Sequence, residues 1–174
     1  MEVDLRETID NFRAAYPEFS DHFGLETVDH SPLTPLNLWG CYCRSAAKEP
    51  PPYYTADRQF LPVARAARQM DVIVPIEQIF WEFGSADDPH RPILRRIMAN
   101  PYEIKGLIFP SLDRLARNHA LLEHLEFQFW KARIKLYYCD IESDRGSIYN
   151  PMMYEAVAEM LEARRRRIPR RSTR

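Results

Sequence analysis

Short apolar segments alternate with amphipathic segments of helical periodicity along this chain, and this alternation constrains the fold more than any other feature. Residues 36–42, 104–109 and 134–138 are short, apolar and flanked by polar or turn-forming residues, as buried strands are. Another apolar segment, 72–83, is divided by Pro75. Strands separated by helices form a mostly parallel sheet covered on both faces. We therefore predict an α/β domain with a mostly parallel central sheet flanked by helices.

The N-terminal segment is predicted to be helical. Its apolar residues recur at intervals of four, three and four, at Leu5, Ile9, Phe12 and Tyr16. A turn-forming segment at 29–35 follows and marks a boundary. We interpret residues 1–35 as an N-terminal helical extension and linker, which either packs as a cap or covers a dimer or tetramer surface.

Four further helices are predicted from apolar spacing. They comprise a helix capped by Thr55 with Pro62 inside it, a short helix over 91–98, one long helix over 114–130, and a C-terminal helix around 153–161. The last of these runs directly into arginines. The predicted α/β domain therefore covers residues 36–163, and residues 164–174 form an arginine-rich tail.

Charge is distributed unevenly along the chain. The formal net charge is −1, yet the last eleven residues hold seven arginines and no acid, which leaves 17 basic against 25 acidic residues elsewhere. A uniformly basic nucleic-acid-binding surface is therefore not expected. The tail can bind DNA phosphates without reading sequence, or it can be a solvated tail. The predicted DNA-binding residues are Arg164, Arg165, Arg166, Arg167, Arg170 and Arg171.

The three cysteines indicate a reducing compartment, because their number is odd and their spacing does not suggest disulfides. Cys41 and Cys43 have strand spacing, and we interpret them as buried thiols rather than metal ligands, since further ligands are lacking nearby. No apolar run approaches 18 residues, and the N-terminus does not resemble a signal peptide. We expect a cytoplasmic protein without membrane association or a bound metal.

Two arginines follow one of the predicted strands, where the working residues of parallel sheets gather. Arg114 and Arg117 are three residues apart at a predicted helix start, so both can face the same way. Paired guanidiniums near a helix N-terminus suit a phosphate. The alternative is a solvated helix face with ordinary ion pairs.

Several segments resemble the catalytic domain of serine recombinases, the resolvase and invertase family. Residues 106–118 are similar to that family's apolar strand followed by Leu-Asp-Arg-Leu-x-Arg, a core matched in full at 112–117. The weaker matches follow in the family's order: Tyr42-Cys43-Arg44, Gln59, Ser85, Arg91-Pro92-Ile93-Leu94 and Asn150-Pro151-Met152. The resemblance covers roughly residues 38–161 and implies a resolvase-like fold.

The resemblance also implies an activity and its residues. In that family a serine hydroxyl attacks a DNA phosphodiester and forms a 5′-phosphoserine link, without a metal or other cofactor. Arginines would stabilise the negative charge of the transition state, and one acid would orient one of these arginines. The implied residues are Arg44, Arg91, Arg114, Arg117 and Asp113, supported by Tyr42, Gln59, Glu82 and Ser85. The implied partners are DNA and further copies of the chain, in a homodimer or homotetramer formed through the C-terminal helix.

The position of the nucleophile departs from the family pattern. The family has Tyr-x-Arg-x-Ser, whereas Ser45 directly follows Arg44 here and the expected serine position holds Ala46. Ser45 could still enter the site as the nucleophile. Alternatively, the chain is an inactive relative that acts as a DNA-associated or oligomerising module. A third possibility is an α/β domain that binds a small phosphorylated ligand at the arginines.

Overall fold

The computed structural model describes residues 5–26, 37–46, 53–100 and 104–140, with side chains from residue 56 onward in the third range. Six strands are present in these ranges: β1 (Phe23–Leu25), β2 (Trp39–Ser45), β3 (Val74–Pro75), β4 (Ile79–Phe83), β5 (Gly106–Phe109) and β6 (Lys135–Tyr138). The main sheet is parallel with the order β4-β2-β5-β6, and β1 pairs with β3 in a separate parallel pair. The predicted mostly parallel sheet is confirmed.

Helices connect the strands and cover the sheet. They are α1 (Leu5–Ala15), α2 (Tyr53–Met70), α3 (Pro92–Ala99), α4 (Leu112–Leu115) and α5 (His119–Lys131), with 3-10 turns at Pro17–Phe19 and Ile76–Gln78. No helix within the described ranges is both long and apolar enough to cross a membrane. The predicted C-terminal helix and arginine tail lie outside the described residues.

Two hydrophobic cores lie on opposite faces of the main sheet, because successive side chains of β2 point in opposite directions. Cys41 and Cys43 belong to the core formed with α1 and α2, whereas Tyr42 belongs to the core formed with α3 and α5. Both cysteines are free and buried, which confirms their interpretation as core thiols. Burial raises the pKa of the Cys41 thiol well above its ordinary value, so this thiol stays protonated.

The N-terminal helix is part of the first core. Phe12 is fully buried, and its ring centroid lies 5.3 Å from that of Phe23 and 5.6 Å from that of Phe60 on α2. In the described residues α1 therefore packs as a cap over α2. Residues 27–36 lie outside the described ranges, and the division of the chain at residue 35 stays a prediction.

Two helix predictions were wrong. Thr55 is not an N-cap, because α2 begins at Tyr53 and continues through Pro62. The single helix predicted over 114–130 is two helices, separated by an extended Ala116 with φ −159° and ψ 152°. The second helix starts after Asn118, whose side-chain oxygen accepts hydrogen bonds from the amides of the next helix's first turn. Asparagine favours this capping position, and the cap begins a new helix where apolar spacing alone predicted continuity.

Candidate active site

The carboxyl ends of β2, β4 and β5 meet at one edge of the main sheet, which we call the carboxyl edge. Arg44, the penultimate residue of β2, is 2% exposed there. Its guanidinium donates to the Gly84 carbonyl after β4 at 2.6 Å and to the Asp113 carbonyl in α4 at 3.4 Å. Its amide donates to Gln59 Oε1 at 3.0 Å. Arg44 therefore joins three segments that end or begin at this edge.

Arg114 completes the connection between β2 and α4. One terminal nitrogen of Arg114 donates to the Arg44 carbonyl at 2.9 Å, and the other donates to Asp113 Oδ2 at 2.8 Å. Asp113 Oδ1 also accepts from Arg114 Nε at 3.1 Å and from the Ser111 hydroxyl. The predicted role of Asp113 in orienting an arginine remains a proposal, but its carboxylate contacts Arg114 through both oxygens.

Arg91 is the second buried arginine, with 2% exposure. Its terminal nitrogens donate to the carbonyls of Arg114, at 3.2 Å, and of Leu115. These contacts use the carbonyls at the end of α4 and help to stop that helix before Ala116. Arg91 thus connects the start of α3 to the backbone at the end of α4.

Tyr42 and Glu82 form a buried, hydrogen-bonded pair next to the N-terminus of α3. The Tyr42 hydroxyl donates to Glu82, and the other oxygen of Glu82 accepts from the amide of Ile93 in the first turn of α3 at 3.0 Å. Burial raises the pKa of Tyr42, and the hydrogen bond with Glu82 raises it further, so the phenol stays protonated. The pair fixes the N-terminus of α3, from which Arg91 extends.

Arg117 differs from the buried arginines because its side chain is 65% exposed, with its guanidinium 4.0 Å from Asp113 Oδ2. Burial lowers the pKa of Arg44, and the positive charges of Arg114 and Arg117 lower it further. These charges are therefore close enough to repel one another. We call Arg44, Arg91, Arg114 and Arg117 the arginine cluster, and its positive charges can attract an anion at the carboxyl edge.

The prediction that Arg114 and Arg117 lie together at the start of one helix was wrong. Arg114 lies in α4, which contains only four residues, whereas Arg117 lies beyond α4 and directly precedes Asn118, the N-cap of α5. Backbone carbonyls hold the guanidiniums of Arg44, Arg91 and Arg114 in place at this edge. Nε of Arg44 and Nε of Arg91 are buried without a hydrogen-bond partner among the described residues.

Ser45 lies at the end of β2 and is half-buried. By strand alternation it shares the register of Cys41 and Cys43, which face the α1 and α2 side of the sheet, whereas Arg44 shares the register of Tyr42. Ala46, at the family's serine position, is exposed. The backbone of β2 therefore directs Ser45 away from the face on which Arg44 lies.

Of the other predicted site residues, two lie close to the arginine cluster and one lies in an exposed loop. Gln59 and Glu82 are buried close to the arginine cluster. Ser85 is exposed in the loop after β4, where its hydroxyl accepts from the amide of Asp87 at 3.2 Å. The DNA-binding arginines of the tail lie outside the described residues.

Sequence reasoning assigned no role in the site to two residues at the carboxyl edge, Ser111 and Asp140. Ser111 contacts both Asp113 and Arg114, and Asp140 accepts from the amide of Leu112 at 3.0 Å. Each is a polar residue two positions after the end of a predicted strand, and this position was the signal that could have identified it. They hold α4 against the sheet from its N-terminal side.

Asp113 should make the stability of the domain depend on pH. Partial burial raises its pKa, but hydrogen bonds from Ser111 and Arg114 and the charges of Arg114 and Arg44 outweigh that effect, so the pKa lies below its ordinary value. The stabilisation that the ionised Asp113 gives the folded domain is therefore complete above the unfolded-state pKa of about 3.9. It is lost as the pH falls through the lower folded-state pKa. We expect Asp113→Asn to be less stable than wild type at pH 7 and the difference to shrink below about pH 4. Urea unfolding between pH 3 and pH 7 measures this, and a difference that stays constant with pH would contradict it.

Solved structures of serine recombinase catalytic domains are similar to this chain. The N-terminal catalytic domain of TP901-1 integrase is 18% identical, covering 74% of this chain and 97% of that chain with a TM-score of 0.54. The C-terminal catalytic domain of ISC1926 TnpA, an IS607-like serine recombinase, is 14% identical, with coverages of 72% and 99% and a TM-score of 0.49. A serine recombinase from Sulfolobus solfataricus is 18% identical, with coverages of 73% and 81% and a TM-score of 0.42. The first of these similarities supports the α/β fold.

The family is shown by the sequence itself. No curated protein sequence matches the chain significantly. The family model described as the resolvase N-terminal domain, however, matches residues 40–174, which include the arginine cluster and the described strands of the main sheet except Trp39, the first residue of β2. This chain therefore belongs to the resolvase N-terminal-domain family, the catalytic domains of serine recombinases.

Proposed function

We propose that this chain breaks and rejoins DNA strands through a phosphoserine intermediate formed at the arginine cluster. Family membership supports DNA recombination in general. The observation that carries the finer proposal is the convergence of Arg44, Arg91 and Arg114 at the carboxyl edge, with Arg117 exposed beside them. No DNA reaction follows from the fold alone, because one fold serves many functions.

The cluster has the properties that phosphoryl transfer requires. A phosphodiester gains negative charge on its non-bridging oxygens in the transition state, and positive groups held in place beforehand stabilise that charge. Arg44 and Arg114 are held by carbonyls of neighbouring segments, so little reorganisation is needed when the anion arrives. Exposed Arg117 is the member best placed to reach a phosphate on a large substrate.

The charge of the buried arginines also favours an anionic ligand. Taking a guanidinium out of water is costly unless an opposite charge or hydrogen bonds compensate for it. Arg44 and Arg91 are compensated mainly by backbone carbonyls, and each keeps an unpaired Nε. A phosphate at the carboxyl edge would supply the missing negative charge.

A second candidate function is a DNA-associated or oligomerising module without strand-transfer activity. The register of Ser45 favours it, since β2 directs this serine away from the face of Arg44. For Ser45 to act as the nucleophile, the end of β2 would have to change conformation. The two candidates share DNA as a ligand and differ in whether a covalent bond forms.

The partners follow from the same proposal. The tail arginines, Arg164 to Arg167 with Arg170 and Arg171, would contact DNA phosphates, and the C-terminal helix would join copies of the chain in a dimer or tetramer. Location in the cytoplasm is likewise part of the proposal. The proposed DNA affinity should fall steeply with salt concentration.

Arg117→Ala is the sharpest test of the cluster. Its side chain is largely exposed, so we expect little change in stability, together with a decrease of about 100-fold in the rate of covalent adduct formation with supercoiled DNA. Adducts are trapped with denaturant and separated by gel electrophoresis. Arg95→Ala, an exposed arginine on α3, is the matched control and should retain the wild-type rate.

The outcomes separate the two candidates. An adduct formed at the wild-type rate by Arg117→Ala would show that the arginine cluster is not the reacting site. DNA binding by the wild type without any adduct would favour the non-catalytic module. An adduct lost in Arg117→Ala and kept in Arg95→Ala would support phosphoserine chemistry at the cluster.

A further inference from the structure

We propose that Ser111, rather than Ser45, supplies the nucleophilic hydroxyl at the arginine cluster. This inference rests on the proposed strand-transfer function and names the residue that performs its covalent step. Ser111 is separated from β5 by Pro110 and directly precedes α4, so it lies at the carboxyl edge at the start of the segment that contains Asp113 and Arg114.

Side-chain contacts place Ser111 close to Arg44, and the register of the neighbouring strands is consistent with this position. Trp39 pairs with Gly106 and Cys41 with Ile108, so partners on β2 and β5 differ by 67 in residue number. The last pair is Cys41 with Ile108, and extending the same offset by three residues, past the end of β5, brings Arg44 opposite Ser111. Side-chain contacts agree with this placement, because Arg44 donates to the Asp113 carbonyl and Arg114 donates to the Arg44 carbonyl. Ser111 thus belongs to the same group of contacts as two arginines of the cluster.

The hydroxyl of Ser111 has the neighbours that a nucleophile needs. It donates its hydrogen to Asp113 Oδ1, and its oxygen lies 3.4 Å from Nε of Arg114. The carboxylate can accept the proton as the oxygen attacks, and the guanidinium lies beside the oxygen that will carry the phosphoryl group. Ser45, by contrast, has the register of Cys41 and Cys43 on the other side of the sheet.

The proposed step transfers the phosphoryl group from the 3′ oxygen of one nucleotide to the hydroxyl of Ser111. Ser111 Oγ forms a bond with the phosphorus of a DNA phosphodiester while its proton passes to the Asp113 carboxylate. The bond between phosphorus and the 3′ oxygen of the neighbouring nucleotide breaks, and that oxygen takes a proton from water. The 5′ phosphate remains on Ser111 as a phosphodiester, no redox change occurs, and the reverse attack by a 3′ hydroxyl rejoins the strand.

The test uses a substrate that needs no target sequence. In thymidine 5′-(p-nitrophenyl phosphate) the nitrophenolate stands in place of the leaving 3′ oxygen, so attack by a serine of the full chain releases nitrophenolate and leaves thymidine 5′-phosphate on the protein. We expect one equivalent of nitrophenolate to be released rapidly, with the added mass located on Ser111 by peptide mapping. Ser111→Ala should lose this release by at least about 100-fold, whereas Ser45→Ala should keep it.

Folding and DNA binding are measured alongside the reaction. Thermal unfolding should show that Ser111→Ala is still folded at the assay temperature, and fluorescence anisotropy with a labelled oligonucleotide should be little changed. Ser111→Thr, which retains a hydroxyl, should recover part of the release. An adduct located on Ser45 would overturn this inference and leave the proposed function standing. Oligonucleotide binding by the wild type without an adduct on any serine would overturn both.

Discussion

Replacing Arg91 with alanine is expected to lower the free energy of unfolding by about 2–4 kcal/mol, because the change leaves buried polar groups without partners. Arg91 is 2% exposed, and its guanidinium donates to the carbonyls of Arg114 and Leu115. Leu115 is fully buried, so water cannot readily replace the lost donors at this point. Urea unfolding at pH 7, followed by far-UV circular dichroism, measures the change.

Arg95→Ala is the matched control for this prediction. Arg95 lies on α3, four residues from Arg91, and is exposed, so its removal should alter stability by no more than about 0.5 kcal/mol. An Arg91→Ala protein as stable as the control would show that the contacts with the end of α4 contribute little. The structural role assigned to Arg91 would then be wrong.

The fold was largely predictable because its determinants are local. The apolar segments at 36–42, 104–109 and 134–138 correspond to strands of the main sheet, and Pro75 ends β3 as expected. Strand alternation also predicted correctly that Cys41 and Cys43 are buried. Short apolar segments bounded by polar residues leave few other arrangements for a chain of this length.

The interruption between α4 and α5 was not predictable from apolar spacing, since it depends on a contact distant in sequence. Asn118 caps α5 locally, but the carbonyls at the end of α4 are occupied by Arg91, 23 and 24 residues earlier in the chain. The spacing of apolar residues is continuous across the break, and so it predicted one helix. Only the tertiary contact shows why α4 stops after four residues.

The site was predictable in composition but not in the arrangement of its serines. The family motif identified Asp113, Arg114 and Arg117, and the structure brings these residues close to Arg44 and Arg91. Alternation along β2 alone separates Ser45 from Arg44, whereas the position of Ser111 near Arg44 depends on how β5 is placed beside β2. Register is a property of paired strands, and one sequence segment alone does not reveal it.

Replacing Phe12 with alanine should cost about 3–5 kcal/mol in unfolding free energy, which is the usual cost of removing a buried aromatic side chain. Phe12 is on α1, and its ring lies within 6 Å of those of Phe23 and Phe60. Phe60 in turn contacts Trp81 on β4, with ring centroids 5.7 Å apart. A cavity at Phe12 therefore weakens a core that extends from the N-terminal helix to the main sheet.

Tryptophan fluorescence and far-UV circular dichroism during urea unfolding should report the same lowered midpoint for Phe12→Ala, because α1 and the sheet share one core and should unfold together. Asp10→Ala, an exposed change on the same helix, should leave the midpoint nearly unchanged. If residues 1–35 were an independent extension, Phe12→Ala would shift only part of the dichroism signal and leave the fluorescence transition at the wild-type midpoint. Such a result would show that α1 unfolds independently of the sheet. A common shift would show that α1 belongs to the same cooperative unit as the sheet that positions the arginine cluster.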